Sequence, residues 1–275
     1  MGSHDTDQAT SLLDDACNQG VAAACYDLAT MATQLEGDRY DTARLLDDAC
    51  QFGHPPACVE HRRITVGDDP DTHQSRCDDS DAYGCHLYAT HLDRIGSGAD
   101  DERIEQFYRK ACEGGDATGC TAYGRRLDAR GADSDYIADI LDTACEGGDA
   151  AGCHHLGILR ERAGDDPTDA LRRGCDGWHA TSCFELAEHS SDDATELFER
   201  SCRLGSSDGC WQTALRLLDR PLPTELIRGV ELLERACLND HFPACGFAFE
   251  FAQRGADVDD AVSERACRAG HHDAC

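Results

Sequence analysis

The chain holds a single lysine, Lys110, among 275 residues, with two methionines, two tryptophans and seven prolines. That scarcity removes function classes at once. Phe107 stands three positions before Lys110 and Ala111 follows it, so neither Ser-x-x-Lys nor Lys-Thr-Gly of the serine penicillin-recognising enzymes can occur. A basic face is missing as well. The chain sets 38 Asp and 16 Glu against 24 Arg and that one lysine, a net charge of −29, which argues against nucleic acid as a direct partner. No apolar run approaches the length of a membrane span. Seventeen aromatics are a thin supply for a large globular core. Cys-x-x-Cys and its haem-attaching extension are absent. The chain is further expected to carry no Gly-x-Ser-x-Gly, Walker loop, dinucleotide fingerprint or His-Glu-x-x-His, and so not to be an enzyme.

Cysteine, by contrast, is abundant. Eighteen fall into nine pairs, Cys17/Cys25, Cys50/Cys58, Cys77/Cys85, Cys112/Cys120, Cys145/Cys153, Cys175/Cys183, Cys202/Cys210, Cys237/Cys245 and Cys267/Cys275, each separated by seven residues. Successive first cysteines lie 33, 27, 35, 33, 30, 27, 35 and 30 residues apart, so only the spacing within a pair is constant. In one continuous helix, residues eight apart would be about 12 Å apart along the axis, too far for a disulfide. A bridge therefore needs a chain reversal. Cys112-Glu-Gly-Gly-Asp-Ala-Thr-Gly-Cys120 and Cys145-Glu-Gly-Gly-Asp-Ala-Ala-Gly-Cys153 supply one: glycines to end a helix in the left-handed region and an aspartate to start the next. The residue before each second cysteine is always small; before the first it is small except at Arg76, which predicts an irregular third unit.

Between pairs the pattern is helical. Ile137, Ile140, Leu141 and Ala144 share a face, as do Leu226, Val230 and Leu233. Breaks such as Gly131-Ala-Asp-Ser-Asp135, Gly164-Asp-Asp-Pro167 and Arg220-Pro-Leu-Pro223 divide each interval into two short helices. A unit of about 30 residues with two helices and no strand signal reads as an all-α fold, an α/α solenoid or superhelix in which each unit buries its face against its neighbours. Residues 1–10 read as a tag remnant and disordered N-terminus, with Gly2-Ser3-His4 as the remnant of a trimmed mature chain. Residues 11–275 read as one solenoid of about eight repeats plus terminal half-repeats.

The phrases from Ala111 to Gly124 and from Ala144 to Gly157 resemble Sel1-like repeats, in particular the cysteine-rich kind of the Helicobacter cysteine-rich proteins. The resemblance runs from about Ser11 to Cys275. It implies disulfide-linked helix-turn-helix repeats in a secreted or periplasmic protein that binds a protein or peptide on its concave face. Some members of that family have been linked to β-lactam binding or hydrolysis, which makes binding or cleavage of β-lactams or cell-wall fragments the alternative function. A metal or redox protein is the alternative if the cysteines are free. Structural zinc needs four ligands at one point, whereas His54, His86, His154, His179, His241 and His271 approach the pairs irregularly, so no metal and no cofactor is expected. Nine bridges would persist only in an oxidising compartment, hence the expectation of export.

The acidity suits a soluble surface in a saline habitat or recruitment of a cationic protein or peptide. Acidic clusters at Asp68 to Asp71, Asp78 to Asp81, Asp100 to Glu102 and Asp257 to Asp260 lack the EF-hand order of ligands and read as solvated loops. Tyr88, Tyr123 and His155, each shortly after a second cysteine, are the candidate groove residues. Trp178 and Trp211, both next to a pair, either cover disulfides or anchor a partner. The chain is expected to be a monomer without a membrane span.

Overall fold

The computed structural model describes residues 3–32, 40–66, 69–95, 101–219 and 223–275. Asp68, Asp100, the Arg220 to Leu222 break and the first two residues of the remnant lie outside the described residues. Among the described residues there are seventeen α-helices, one short 3-10 turn and no strand. The chain forms two compact units, up to Asp149 and from Ala150 onward.

The first unit holds α1 (Ser3–Asn18), α2 (Ala22–Ala32), α3 (Thr42–Gln51), α4 (Pro55–Val66), α5 (Pro70–Asp78), α6 (Ala82–Ile95), α7 (Asp101–Glu113), α8 (Ala117–Ala129) and α9 (Ser134–Glu146). Apart from α4 and α5, each helix packs on the next in sequence, α6 on α7 and α8 on α9 most extensively. The second unit holds α10 (Ala150–Ala163), α11 (Thr168–Asp176), α12 (Ala180–Glu188), α13 (Ala194–Arg203), α14 (Ser207–Leu218), α15 (Pro223–Leu238), α16 (Phe242–Gln253) and α17 (Asp260–Arg268), with the same neighbour-on-neighbour order. The core is a row of small clusters. Cys17, Cys25, Leu28, Leu45, Leu46 and Ala49 form one, and Cys202, Cys210, Leu233, Ala236, Cys237, Cys245 and Val262 belong to another.

One turn recurs nine times and explains the constant cysteine spacing. In the 112/120 unit, Gly115 N donates to Cys112 O at 2.9 Å and Asp116 N donates to Ala111 O at 2.9 Å. This pair of bonds is a Schellman motif, with the first cysteine one residue beyond the carbonyl that accepts the longer bond. The residue that closes the motif also caps the next helix, since Asp116 Oδ1 accepts from Gly119 N at 2.6 Å. Helix end, left-handed residue and N-cap thus follow without a spare residue. The second cysteine falls one turn into the next helix, opposite the first. Their Cα atoms are 4.3 Å apart here, 4.7 Å for Cys50–Cys58 and 5.0 Å for Cys267–Cys275. Seven bridges span consecutive helices within the units, and Cys267–Cys275 ties α17 to the residue after the 3-10 turn. Cys145 and Cys153 are disulfide-bonded too, and no cysteine among the described residues is free.

The third residue after the first cysteine always has positive φ. Six turns place glycine there, but Ser80, Trp178 and Asp240 adopt φ of 69°, 68° and 65° without glycine's freedom.

Four expectations change. The Arg76 unit is regular: Ser80 N donates to Cys77 O at 3.0 Å and Asp81 N to Arg76 O at 2.9 Å. Glycine opposite makes room, for a Cβ on Gly84 would lie 2.6 Å from that of Arg76, whose guanidinium then pairs with Asp81 at 2.7 Å. α1 starts at Ser3, inside the segment read as disordered, because nothing from Ser3 to Asn18 breaks a helix, and Thr10 is buried. Ile137, Ile140, Leu141 and Ala144 are buried as expected, and so are Val230 and Leu233, but Leu226 is 44% exposed. The acidic clusters contain helix caps: Asp69 accepts from Thr72 N at 3.0 Å and Asp259 from Ala261 N at 2.8 Å.

Candidate functional site

A second regularity concerns what the turns touch. The cap sits four residues after the first cysteine, and in register these positions are Val21, His54, Asp81, Asp116, Asp149, His179, Ser206, His241 and His271. In six repeats the residue after the second cysteine faces the cap of the following one, while Phe184 packs edge-on against Phe198. In the first unit Tyr26 stacks on His54 with ring centroids 4.3 Å apart. His86 Nδ1 lies 3.9 Å from Asp116 Oδ1, and Thr121 Oγ1 donates to Asp149 Oδ2 at 2.5 Å. In the second unit the rings of His154 and His179 are 4.6 Å apart and those of Trp211 and His241 4.9 Å apart. Gly246 completes the series, since a Cβ there would collide with the His271 ring.

The histidines that seemed irregular in the sequence thus occupy two fixed positions. Three are helix caps: Nδ1 of His54 accepts from Ala57 N at 3.3 Å, Nδ1 of His179 from Ser182 N at 3.2 Å and Nδ1 of His241 from Ala244 N at 3.2 Å. A capping Nδ1 must be unprotonated. Burial holds the His54 imidazole below its usual range. Burial, then the neighbouring His154, draws His179 down to about 4, against the pull of Glu185. His86 is also lowered by burial, with Asp116 and Asp149 opposing.

The two units fill this pattern differently. In the first, His54, Asp116 and Thr121 are buried, with Tyr26 and His86 half-buried. In the second, His154 is buried and His179, Trp211 and His241 are half-buried, while Phe247, two residues after Cys245, is exposed. Phe247 meets Trp211 edge to face at 5.1 Å. Carboxylates rim these rings: Glu185 Oε2 lies 3.0 Å from His154 Nε2, and Asp208 Oδ1 lies 3.5 Å from His241 Nε2.

The candidate residues part company on this geometry. Tyr88 and Tyr123 are buried, which corrects their reading as groove residues. Tyr88 packs edge-on against Phe107 at 4.9 Å. The Tyr123 hydroxyl lies 3.4 Å from that of Tyr136, and burial, followed by that contact, pushes it up to about 12. His155 is half-buried beside His154 at 5.4 Å, and Trp178 occupies the left-handed position of its turn. Trp211 packs onto the cluster containing Cys210, Cys237 and Cys245 yet keeps part of its surface open. Phe247 and Asp208 went unnoticed in the sequence, where His241 stood only as one of six histidines near the pairs. Counting from each first cysteine would have put His241 in the register of the caps.

With no free cysteine among the described residues, the premise of a metal or redox protein fails. One catalytic pattern does occur, contrary to expectation: Gly205-Ser206-Ser207-Asp208-Gly209 satisfies Gly-x-Ser-x-Gly. A nucleophile elbow joins a strand to a helix, whereas here the motif serine, Ser207, opens α14 directly after α13 and its cap Ser206, whose Oγ accepts from Gly209 N at 3.0 Å. It is a staple turn. Among the described residues no helix is long and apolar enough to cross a membrane.

No family model and no curated protein matches the sequence. Solved structures do. The chain is similar to c5321, a protective antigen of uropathogenic Escherichia coli strains displaying an SLR fold, with a TM-score of 0.59 and 15% identity over 95% of this chain and 64% of that one. It is also similar to a Sel1 repeat protein from Oxalobacter formigenes, with a TM-score of 0.61 and 16% identity over 96% of this chain and 88% of that one. The chain therefore has the SLR fold, an α/α solenoid of Sel1-like repeats whose consecutive helices are joined by disulfides.

Proposed function

We propose that this chain is an exported interaction scaffold that binds a protein or peptide, with a basic partner favoured. The observation that carries the reading is the repeat register. It sets one ring or carboxylate per repeat beside each staple, an arrangement suited to an extended partner contacted at several points. Trp211, half-exposed in the second unit, is of a residue type that dominates protein interfaces. A net charge of −29 with acidic rims at Glu185 and Asp208 favours cationic side chains. Fully bonded cysteines support residence in an oxidising compartment.

The test is a binding screen of arrayed basic, neutral and acidic peptides, run on oxidised chain and on reduced, alkylated chain. Saturable binding of basic peptides by the oxidised form alone is expected. If no peptide class binds the oxidised chain, or both forms bind alike, the stapled scaffold is not the binding entity.

A further inference from the structure

We propose that Trp211, Phe247, His241 and Asp208 form an anchor for one arginine or lysine side chain of the partner. This deepens the scaffold reading and rests on it. The four residues come from the starts of consecutive even helices, α14 and α16, brought together by the staple register. Trp211 is held from below by the core cluster around Cys210, Cys237 and Cys245, so its indole is fixed before any partner arrives. The His241 ring leans on it at 31°, with centroids 4.9 Å apart. That imidazole cannot swing away, because its Nδ1 accepts from Ala244 N as the cap of α16. Phe247 stands nearly perpendicular to the indole, at 78° and 5.1 Å, and is 45% exposed. Asp208, with its side chain 62% exposed, puts Oδ1 3.5 Å from His241 Nε2.

The chemistry selects the ligand. Ring faces carry negative quadrupole charge and attract a guanidinium or ammonium group. A purely apolar side chain would leave the Asp208 carboxylate to be desolvated without compensation. An anionic one would meet that carboxylate directly. The surroundings agree in sign: from Ala150 to Cys275 the sequence has 23 acidic and 13 basic residues. Arginine gains most, because its planar fork can stack on a ring while donating to a carboxylate. A single exposed contact of this kind changes affinity only a few-fold, so the anchor serves a partner held at further points.

The test titrates a hexa-arginine peptide, with hexaglutamate as the opposite charge, against the oxidised full chain. Affinity is followed by calorimetry and by indole emission, with Trp211→Phe identifying the Trp211 signal. Phe247→Leu keeps apolar bulk but removes the ring, and should weaken hexa-arginine binding about threefold. Asp208→Asn should do the same, and the pair together about tenfold, while Phe52→Ala, an equally exposed phenylalanine of the first unit at 48%, changes nothing. Helicity by circular dichroism controls for folding. If Phe247→Leu and Asp208→Asn bind like the parent, the anchor is wrong while the basic-partner scaffold stands, since hexa-arginine still binds. If hexaglutamate or neutral peptides bind and hexa-arginine does not, the anchor falls and the scaffold survives with another partner. Failure of every peptide overturns both.

Discussion

Up to Asp149 the positions that face a neighbouring cap set Tyr26 on His54, His86 near Asp116 and Thr121 on Asp149; from Ala150 onward they bring together the rings of His154 and His179 and those of Trp211 and His241. The backbone beneath is the same turn in both units, down to hydrogen bonds of 2.8 to 3.1 Å. The charge differs too, 31 acidic against 12 basic residues in the first stretch and 23 against 13 in the second. A repeat fold can hold its scaffold constant and change one side chain per repeat. A hydrogen bond such as that from the buried Thr121 to Asp149 makes the position structural, whereas the half-exposed rings of Trp211 and His241 leave it available to a partner.

The staples are the part the two units share, so removing one should cost the same in each. Cys77→Ser with Cys85→Ser, and Cys175→Ser with Cys183→Ser, are each expected to lose about 2.5 kcal/mol through restored freedom of the unfolded loop. Urea midpoints read the loss, and unequal losses would mean the turn is not a common unit.

The caps should separate the units. Asp116 is buried, caps α8 and accepts from Thr118 Oγ1 at 2.6 Å as well as from Gly119 N. Asp116→Ala should cost about 2 kcal/mol, and Ser206→Ala, a more exposed single cap, about 1 kcal/mol. Equal costs would erase the distinction between closed and open positions.

Acid should sharpen it. The His179 pKa is depressed in the folded chain to about 4, so the folded state binds fewer protons than the unfolded one below about 6.5. Its stabilisation is complete above that pH and is lost as pH falls toward about 4. His54 shares the direction. His179→Asn retains a capping acceptor without a titrating group. Thermal midpoints should therefore fall less steeply between pH 6.5 and 4 in that variant than in the parent. An unchanged slope would show that His179 does not couple folding to pH.

The smallest effect lies at the left-handed turn residues. Ser80→Gly relieves a strained φ of 69° and should stabilise the first unit by somewhat under 1 kcal/mol, after the entropy glycine adds to the unfolded chain. Gly53→Ala, at φ 89° with open space around it, should cost about 1 kcal/mol. A chemical melt that ranks these two the other way would contradict the shared geometry.

Much of the fold was legible in the sequence because the turn is local. The cysteine spacing, the glycines and the small residues flanking each pair all act within nine positions, so the chain reversal follows from sequence distance alone. Arg76 was misread because its partner Gly84 sits across the turn, where space rather than composition decides. Tyr88 and Tyr123 were misread for a related reason: on an amphipathic helix tyrosine suits either a core or a groove, and only the neighbours Phe107 and Tyr136 settle which. The anchor was hidden because Trp211 and His241 lie 30 residues apart in sequence, and nothing local to either announces the other.

By itself, then, the sequence determined the all-α class, the repeat, the reversal between each pair of cysteines and the surplus of negative charge. These rest on local backbone preferences and on composition, neither of which requires distant residues to meet. Tertiary structure alone decided that the residue after most second cysteines faces the cap of the next repeat, and so which of these positions are sealed and which stay open. That outcome depends on how one helix pair packs against the following one, where side chains far apart in the chain compete for the same space.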